Sequence, residues 1–170
     1  STAYNLLMSE DVLAAIHSIK RLGIKVKIYK NYCEIIGGGI NGFKYKKNLI
    51  IDAKNSGTFG RLILGLLIKS PEKVNLIGDK SLSKRDFSRI TVPLEKFGAK
   101  FYYKTKNKLP LTILGSPSAK GIKYLENKGS AQCKSSVMLA ALNASGTTSI
   151  KAKKSRNHSE LLFKYLKIPI

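Results

Sequence analysis

Acidic residues are scarce in this chain: 10 Asp and Glu stand against 31 Lys and Arg, leaving a formal net charge of +21. Cysteine is nearly absent too. Cys33 and Cys133 lie far apart with no second pair, which argues against both a disulfide framework and a zinc site. That usage fits a reducing cytoplasm. Long hydrophobic runs are also missing, for the longest, such as Leu62 to Ile68, falls well short of the roughly 20 residues of a membrane span. The first residues, STAYNLLMSEDV, put no basic region ahead of a hydrophobic one, so no secretory leader is expected.

Arginine is the minor cation. Only 5 of the 31 basic residues are Arg, and the 26 lysines spread over the whole chain. Positive charge invites a nucleic-acid reading, because Lys and Arg neutralise phosphates. Base readout and bidentate phosphate grip favour arginine, however, and single-strand platforms favour clustered aromatics. Neither is gathered here. Two other accounts of the charge stay open: a lysine-rich solvated surface, and a cleft for small polyanions.

What is present suits one domain with a real core: 170 residues, 43% hydrophobic and 24% charged. Residues 11–22 place Val12, Ile16 and Ile19 at helical spacing, with Ser9 as N-cap and Gly23 as stop. KVKIY and NYCEIIG alternate as two strands around Lys30-Asn31. NLIID reads as a strand, RLILGLLI as a buried helix entered through NSGTFG, and VNLIG as the next strand. The pattern then recurs. SKRDFSRITVPLEKFGAKFYY reads as another Ser-capped helix, glycine stop and strand, and Gly98 follows Gly23 by 75 residues. Gly57 and Gln132, each opening an apolar helix, keep the same spacing, and SRNHSELLFKYLKI is a shorter third echo. Such offsets predict a duplicated strand–helix–strand–helix–strand–strand unit in an α/β architecture.

Four polar segments are candidate sites. In NSGTFG, Asn55, Ser56, Gly57 and Thr58 stand at a helix start, where free N–H groups and the dipole favour anions. The same letters also make an ordinary cap. In GDKSLSKRD, Arg85 precedes a helix and could grip a carboxylate or phosphate in bidentate fashion. Its bland alternative is a salt bridge to Asp86 or Asp79. In GSAQCKSS, Ser130, Ala131 and Gln132 offer hydroxyl, backbone N–H and amide groups at another helix start. In KKSRNHSELL, Ser155, Arg156 and His158 do the same, and a lone histidine there is ordinarily a capping or surface residue.

The succession NSGT…RL, GDxSLxxR, SAQxKS and SRxHxE resembles the enolpyruvyl transferase family, within it the branch acting on shikimate 3-phosphate. The likeness runs in family order from about Ser9 to Leu166, and SEDVLAAIHSIKRLG resembles that branch's first-unit helix. The sibling branch acting on UDP-N-acetylglucosamine typically carries a cysteine before the second-site arginine; GDKSLSKRD has none, and SAQCKSS follows the shikimate pattern.

The resemblance implies an inside-out α/β barrel of βαβαββ repeats, with about two units plus part of a third in residues 1–170. These would form the central part of an N-terminal domain, lacking the family's upstream Lys-Ser motif and its whole C-terminal domain. It implies transfer of the carboxyvinyl group of phosphoenolpyruvate to the 5-hydroxyl of shikimate 3-phosphate, through a tetrahedral intermediate that loses phosphate. By the same resemblance, Gly57, Thr58, Arg85 and Gln132 would meet phosphoenolpyruvate, while Ser130, Ala131, Gln132, Ser155 and Arg156 would hold shikimate 3-phosphate. It implies no cofactor, no metal, no nucleic-acid or membrane partner, a monomeric and cytoplasmic parent, and glyphosate sensitivity through Gly57. No residue here matches the family's general acid or base. Asp86 stands where the family usually has proline and adds a negative charge beside Arg85. The chain by itself is expected to bind substrate weakly and to be inactive.

Overall fold

The computed structural model describes residues 1–170. The first elements are β1 (Thr2–Tyr4), α1 (Glu10–Arg21), β2 (Lys25–Ile28) and β3 (Tyr32–Ile36). Next come β4 (Leu49–Asp52), α2 (Gly57–Leu66), β5 (Val74–Ile77), α3 (Ser88–Lys96), β6 (Lys100–Tyr103) and β7 (Leu111–Leu114). The last are β8 (Lys123–Glu126), α4 (Ala131–Ala141), β9 (Ser149–Ala152) and α5 (His158–Tyr165). This is an α/β chain. Its middle stretch, β4 to β7, is one whole β-α-β-α-β-β succession, preceded by β-α-β-β and followed by β-α-β-α.

Sheet pairing repeats the same logic. In the four-stranded sheet, order β4-β5-β7-β6, β4 and β5 are parallel because α2 crosses between them, and β7 lies antiparallel between β5 and β6. In the first sheet β3 lies antiparallel between β1 and β2, and β8 and β9 form a parallel pair bridged by α4. Alternation decides the faces: Leu49, Ile51, Val74, Leu76, Leu111 and Ile113 turn inward, while Ile50 is exposed.

The inward face meets α2 and α3, and α2 packs on α4. A Cβ on Gly65 of α2 would collide with the backbone of Ser136 on α4, so the helices approach as closely as glycine allows. Ser136 Oγ donates to Arg61 O at 2.9 Å, and Asn143 Nδ2 donates to Leu66 O at 3.4 Å. Pairing Thr58 with Gln132, Arg61 with Ser136 and Leu66 with Asn143 means that the two helices run parallel, with their N-termini side by side. Interior placement explains the composition of α4, where Cys133, Lys134, Ser135, Ser136, Val137 and Met138 are all buried.

The glycine stops behave as expected. Gly23 and Gly98 take φ of +89° and +105°, a region that favours glycine at a helix end. Two expectations need correction. The α3 helix is not Ser-capped: Phe87 occupies the cap position with no side-chain bond, Ser88 is already helical, and Asp86 Oδ1 accepts from Ser88 N at 2.6 Å. The pairing of Gly57 with Gln132 is one residue out of step. The true helix caps are Ser56 and Ser130, whose hydroxyls accept from Phe59 N and Cys133 N, so Gly57 corresponds to Ala131. The two stretches therefore differ by one residue between the glycine stop and the cap.

Candidate functional site

The site grows from the adjacent starts of α2 and α4. Each follows a strand that ends in a carboxylate organising the turn beyond it. Asp52 Oδ1 accepts from Lys54 N at 2.8 Å, and Glu126 accepts from Lys128 N at 3.1 Å and from Ser130 N at 2.8 Å. The serine caps then satisfy one orphan donor of each first turn, leaving the other N–H groups without intrahelical partners.

Side chains join the two starts. Gln132 Nε2 donates to Thr58 Oγ1 at 2.8 Å, while Arg61 Nη1 donates to Gln132 Oε1 at 2.8 Å and to Gly57 O at 3.2 Å. The Arg61 guanidinium lies 5.5 Å from the centroid of the buried Phe87 ring, a cation–π placement. Arg85 reaches the same place from the turn before α3: a Cβ built on Gly57 would lie 2.9 Å from Nη1 of Arg61 and 2.9 Å from Nη1 of Arg85. Glycine is thus the residue that lets two guanidiniums close over the start of α2.

The alternative of a salt bridge from Arg85 to Asp86 or Asp79 is not realised. The ion pairs of the chain are Lys47–Glu72, Lys54–Asp52 and Lys134–Glu160. Asp79 Oδ1 instead accepts from Leu82 N at 2.7 Å, and Asp86 is engaged with Ser88 N. Those hydrogen bonds from Ser88 hold the Asp86 carboxyl below the usual carboxylate range. The added acid shapes the loop without neutralising Arg85. Burial, then the neighbouring Arg85 and Arg89 charges, push the Arg61 pKa below its ordinary value. A cleft of about 260 Å³ opens here, lined by Arg61, Asp86, Arg89, Ser130, Gln132 and Cys133. Two guanidiniums beside one carboxylate that already accepts from Ser88, next to two helix N-termini, leave net positive charge and make a setting for an anion.

Gly57, Thr58, Arg85, Gln132 and Ser130 are therefore brought together, and Ala131 opens α4 beside them. Ser155 and Arg156 are held on another side of the α4 start. Lys134 Nζ donates to Arg156 O at 3.1 Å and pairs with Glu160, and Ser159 Oγ donates to Ser135 Oγ at 2.6 Å. The Arg156 residue is exposed and makes no hydrogen bond to the Gln132 cluster. His158 is the first residue of α5 and exposed. Arg61, Arg89 and Lys134 were missed as site residues. Arg61 sits one turn after Gly57, a spacing that puts both on one helix face and was the available signal.

The family model for EPSP synthase (3-phosphoshikimate 1-carboxyvinyltransferase) matches residues 1–170. The chain belongs to the EPSP synthase family. It is 42% identical over 163 residues to the 3-phosphoshikimate 1-carboxyvinyltransferase of Streptococcus mutans, covering 95% of this chain and 38% of that protein. It is 39% identical over 163 residues to the enzyme of that name from Clostridium tetani, covering 95% and 37%. The EPSP synthase structure from Acinetobacter baumannii superposes with a TM-score of 0.90 at 33% identity, over 96% of this chain and 37% of that one. The chain thus spans little more than a third of the length of the EPSP synthases it matches. No helix is long and apolar enough to cross a membrane.

Proposed function

We propose that this chain is the substrate-gripping part of a 3-phosphoshikimate 1-carboxyvinyltransferase, which moves the carboxyvinyl group of phosphoenolpyruvate onto the 5-hydroxyl of shikimate 3-phosphate. The observation that carries the reading is the pair of adjacent helix starts, bridged by Gln132 and covered by Arg61 and Arg85 without a neutralising carboxylate. Two phosphorylated acids packed side by side repel each other, and N–H donors with guanidiniums offset that repulsion.

In this reading Gly57, Thr58, Arg85 and Gln132 face phosphoenolpyruvate. Ser130, Ala131, Gln132, Ser155 and Arg156 face shikimate 3-phosphate, with the α5 turn moving toward the α4 start as substrate binds. The shikimate 5-hydroxyl gives up its proton as its oxygen adds to the enol carbon, while a proton reaches the methylene carbon. The resulting tetrahedral adduct loses phosphate and that carbon gives up a proton, so the enol ether forms with no redox change. Proton transfer falls to residues beyond this chain, because the only carboxylate lining the cleft, Asp86, is occupied by Ser88. Residues 1–170 would be the central part of one domain of the parent, an inside-out barrel of βαβαββ units. The β5-β7-β6 pattern echoed by β1-β3-β2, and the β4-β5 pattern echoed by β8-β9, support that repeat. The parent would act as a cytoplasmic monomer without cofactor, and the glycine at position 57, where a side chain would crowd Arg61 and Arg85, would leave it sensitive to glyphosate.

The full-length protein should release inorganic phosphate only when both substrates are supplied, and residues 1–170 alone should release none. Turnover by the full-length protein with either substrate singly, or with neither requirement, would overturn the assignment.

A further inference from the structure

We infer that Arg61 is a positioning residue that fixes the amide of Gln132 in one orientation, so that Gln132 presents a donor and never an acceptor to the bound anions. The inference deepens the proposed function and rests on it only for the substrates used in the test.

A glutamine amide can present either its oxygen or its nitrogen to a ligand, and its two-fold terminal torsion makes the choice nearly free unless neighbours decide it. Here they do. Arg61 is donor-only, so the Gln132 atom facing it at 2.8 Å has to be the carbonyl oxygen. The nitrogen is then left on the other side, where it donates one hydrogen to Thr58 Oγ1 at 2.8 Å and keeps a second hydrogen free. A flipped amide would set an N–H against a guanidinium N–H and lose the Arg61 bond, whereas the Thr58 hydroxyl can donate or accept, so it is Arg61 that decides the orientation. An acceptor turned toward a phosphate or carboxylate would repel it, whereas a donor adds a charge-assisted bond.

Arg61 is itself held from three directions. Its Nη1 also donates to Gly57 O at 3.2 Å, its Cζ lies over the Phe87 ring at 5.5 Å from the centroid, and its own backbone carbonyl accepts from Ser136 Oγ at 2.9 Å. The lock therefore joins the first turns of α2 and α4 to the core beneath α3. Both bonds leave the single nitrogen Nη1, which the planar guanidinium holds in place from its seat by the Phe87 ring; a lysine ammonium on a flexible stem has no such planar body to fix it there.

The test is a double-mutant cycle in the full-length protein, with Arg61→Gln, Gln132→Ala and the pair, reading kcat and KM for phosphoenolpyruvate and shikimate 3-phosphate. If Arg61 acts through Gln132, each single change lowers kcat/KM by tenfold or more, and adding Arg61→Gln to Gln132→Ala costs less than a further threefold. Losses that multiply would overturn the inference. A second arm does not depend on turnover: selective glutamine 15N labelling follows the Gln132 side-chain amide pair, assigned by its disappearance in Gln132→Glu. Wild type should show two well-separated, slowly exchanging protons that converge toward free-glutamine positions in Arg61→Lys. An unchanged pair in Arg61→Lys would also overturn it. Wild-type protein that turns over neither substrate would sink the proposed function, while the amide arm would still decide the orientation lock.

Discussion

The two sides of the α4 start are built differently. On the α2 side, Gln132 is tied to Thr58 and Arg61 by side-chain hydrogen bonds, and Arg61 is backed by the fully buried Phe87. On the α5 side, the Ser155–Arg156 turn hangs mainly on Lys134, whose side chain keeps only 9% exposure and pairs with Glu160. Buried polar atoms are left without partners there, namely Ser155 Oγ and Glu160 Oε2. On one side the Thr58, Arg61 and Gln132 side chains hold one another in place. The other is a tethered turn with spare hydrogen-bonding capacity, the kind of segment that can still move when a ligand arrives.

That contrast can be broken most forcefully from beneath. Phe87→Ala removes a fully buried ring and the support under Arg61, and should cost about 3–5 kcal/mol by chemical denaturation. A loss below 1 kcal/mol would mean that the α2 side is not anchored through the core. Lys134→Met comes next. Breaking a buried pair costs about 3–5 kcal/mol, but Glu160 retains 29% side-chain exposure, so solvent screening reduces the expectation to about 2 kcal/mol. Hydrogen exchange should quicken over α5 and leave α2 unchanged. Equal loosening of both helices would erase the distinction between the two sides.

Removing the caps sharpens the comparison within the scaffold itself. Ser56→Ala and Ser130→Ala each delete one N-cap bond and should each cost about 1 kcal/mol. Only Ser130→Ala should also weaken shikimate 3-phosphate, raising its KM, since Ser130 lines the cleft. Matching KM values in the two variants would place that ligand elsewhere. The smallest effect concerns pH. The Asp86 carboxyl titrates below its ordinary value because Ser88 hydrogen-bonds to it, so its stabilisation is present above the unfolded pKa of about 4 and fades as pH falls through the folded one. Asp86→Asn should therefore lower stability slightly at neutral pH and flatten the acid limb below about pH 4, so that the variant and wild type converge in acid. An unaltered acid limb would remove Asp86 from the account of the loop.

How much of this was legible in the sequence depended on range. The local grammar reads well: Ser9, Ser56 and Ser130 cap helices, Gly23 and Gly98 stop them, and alternation marks the strand faces. The start of α3 departs from the Ser-capped pattern because Asp86, and not a serine, accepts the Ser88 N–H, so that Ser88 is already helical. Repeat spacing located both helix starts but was off by one, since the second stretch runs one residue shorter from its glycine stop to its serine cap. Arg61 and Lys134 were beyond reach for another reason. Their partners are 71 residues away for Gln132 and on α5 for Glu160, and charge on a helix gives no hint of which distant oxygen will receive it.

Hydrogen exchange on the full-length protein tests most directly whether two helix starts serve one pocket. Their first-turn amides lack intrahelical acceptors and exchange readily until an anion occupies them. Adding phosphoenolpyruvate and shikimate 3-phosphate together should protect residues 55–61 and 130–134 in the same titration, at the same half-saturation. Protection of one segment without the other, or of neither, would contradict the account.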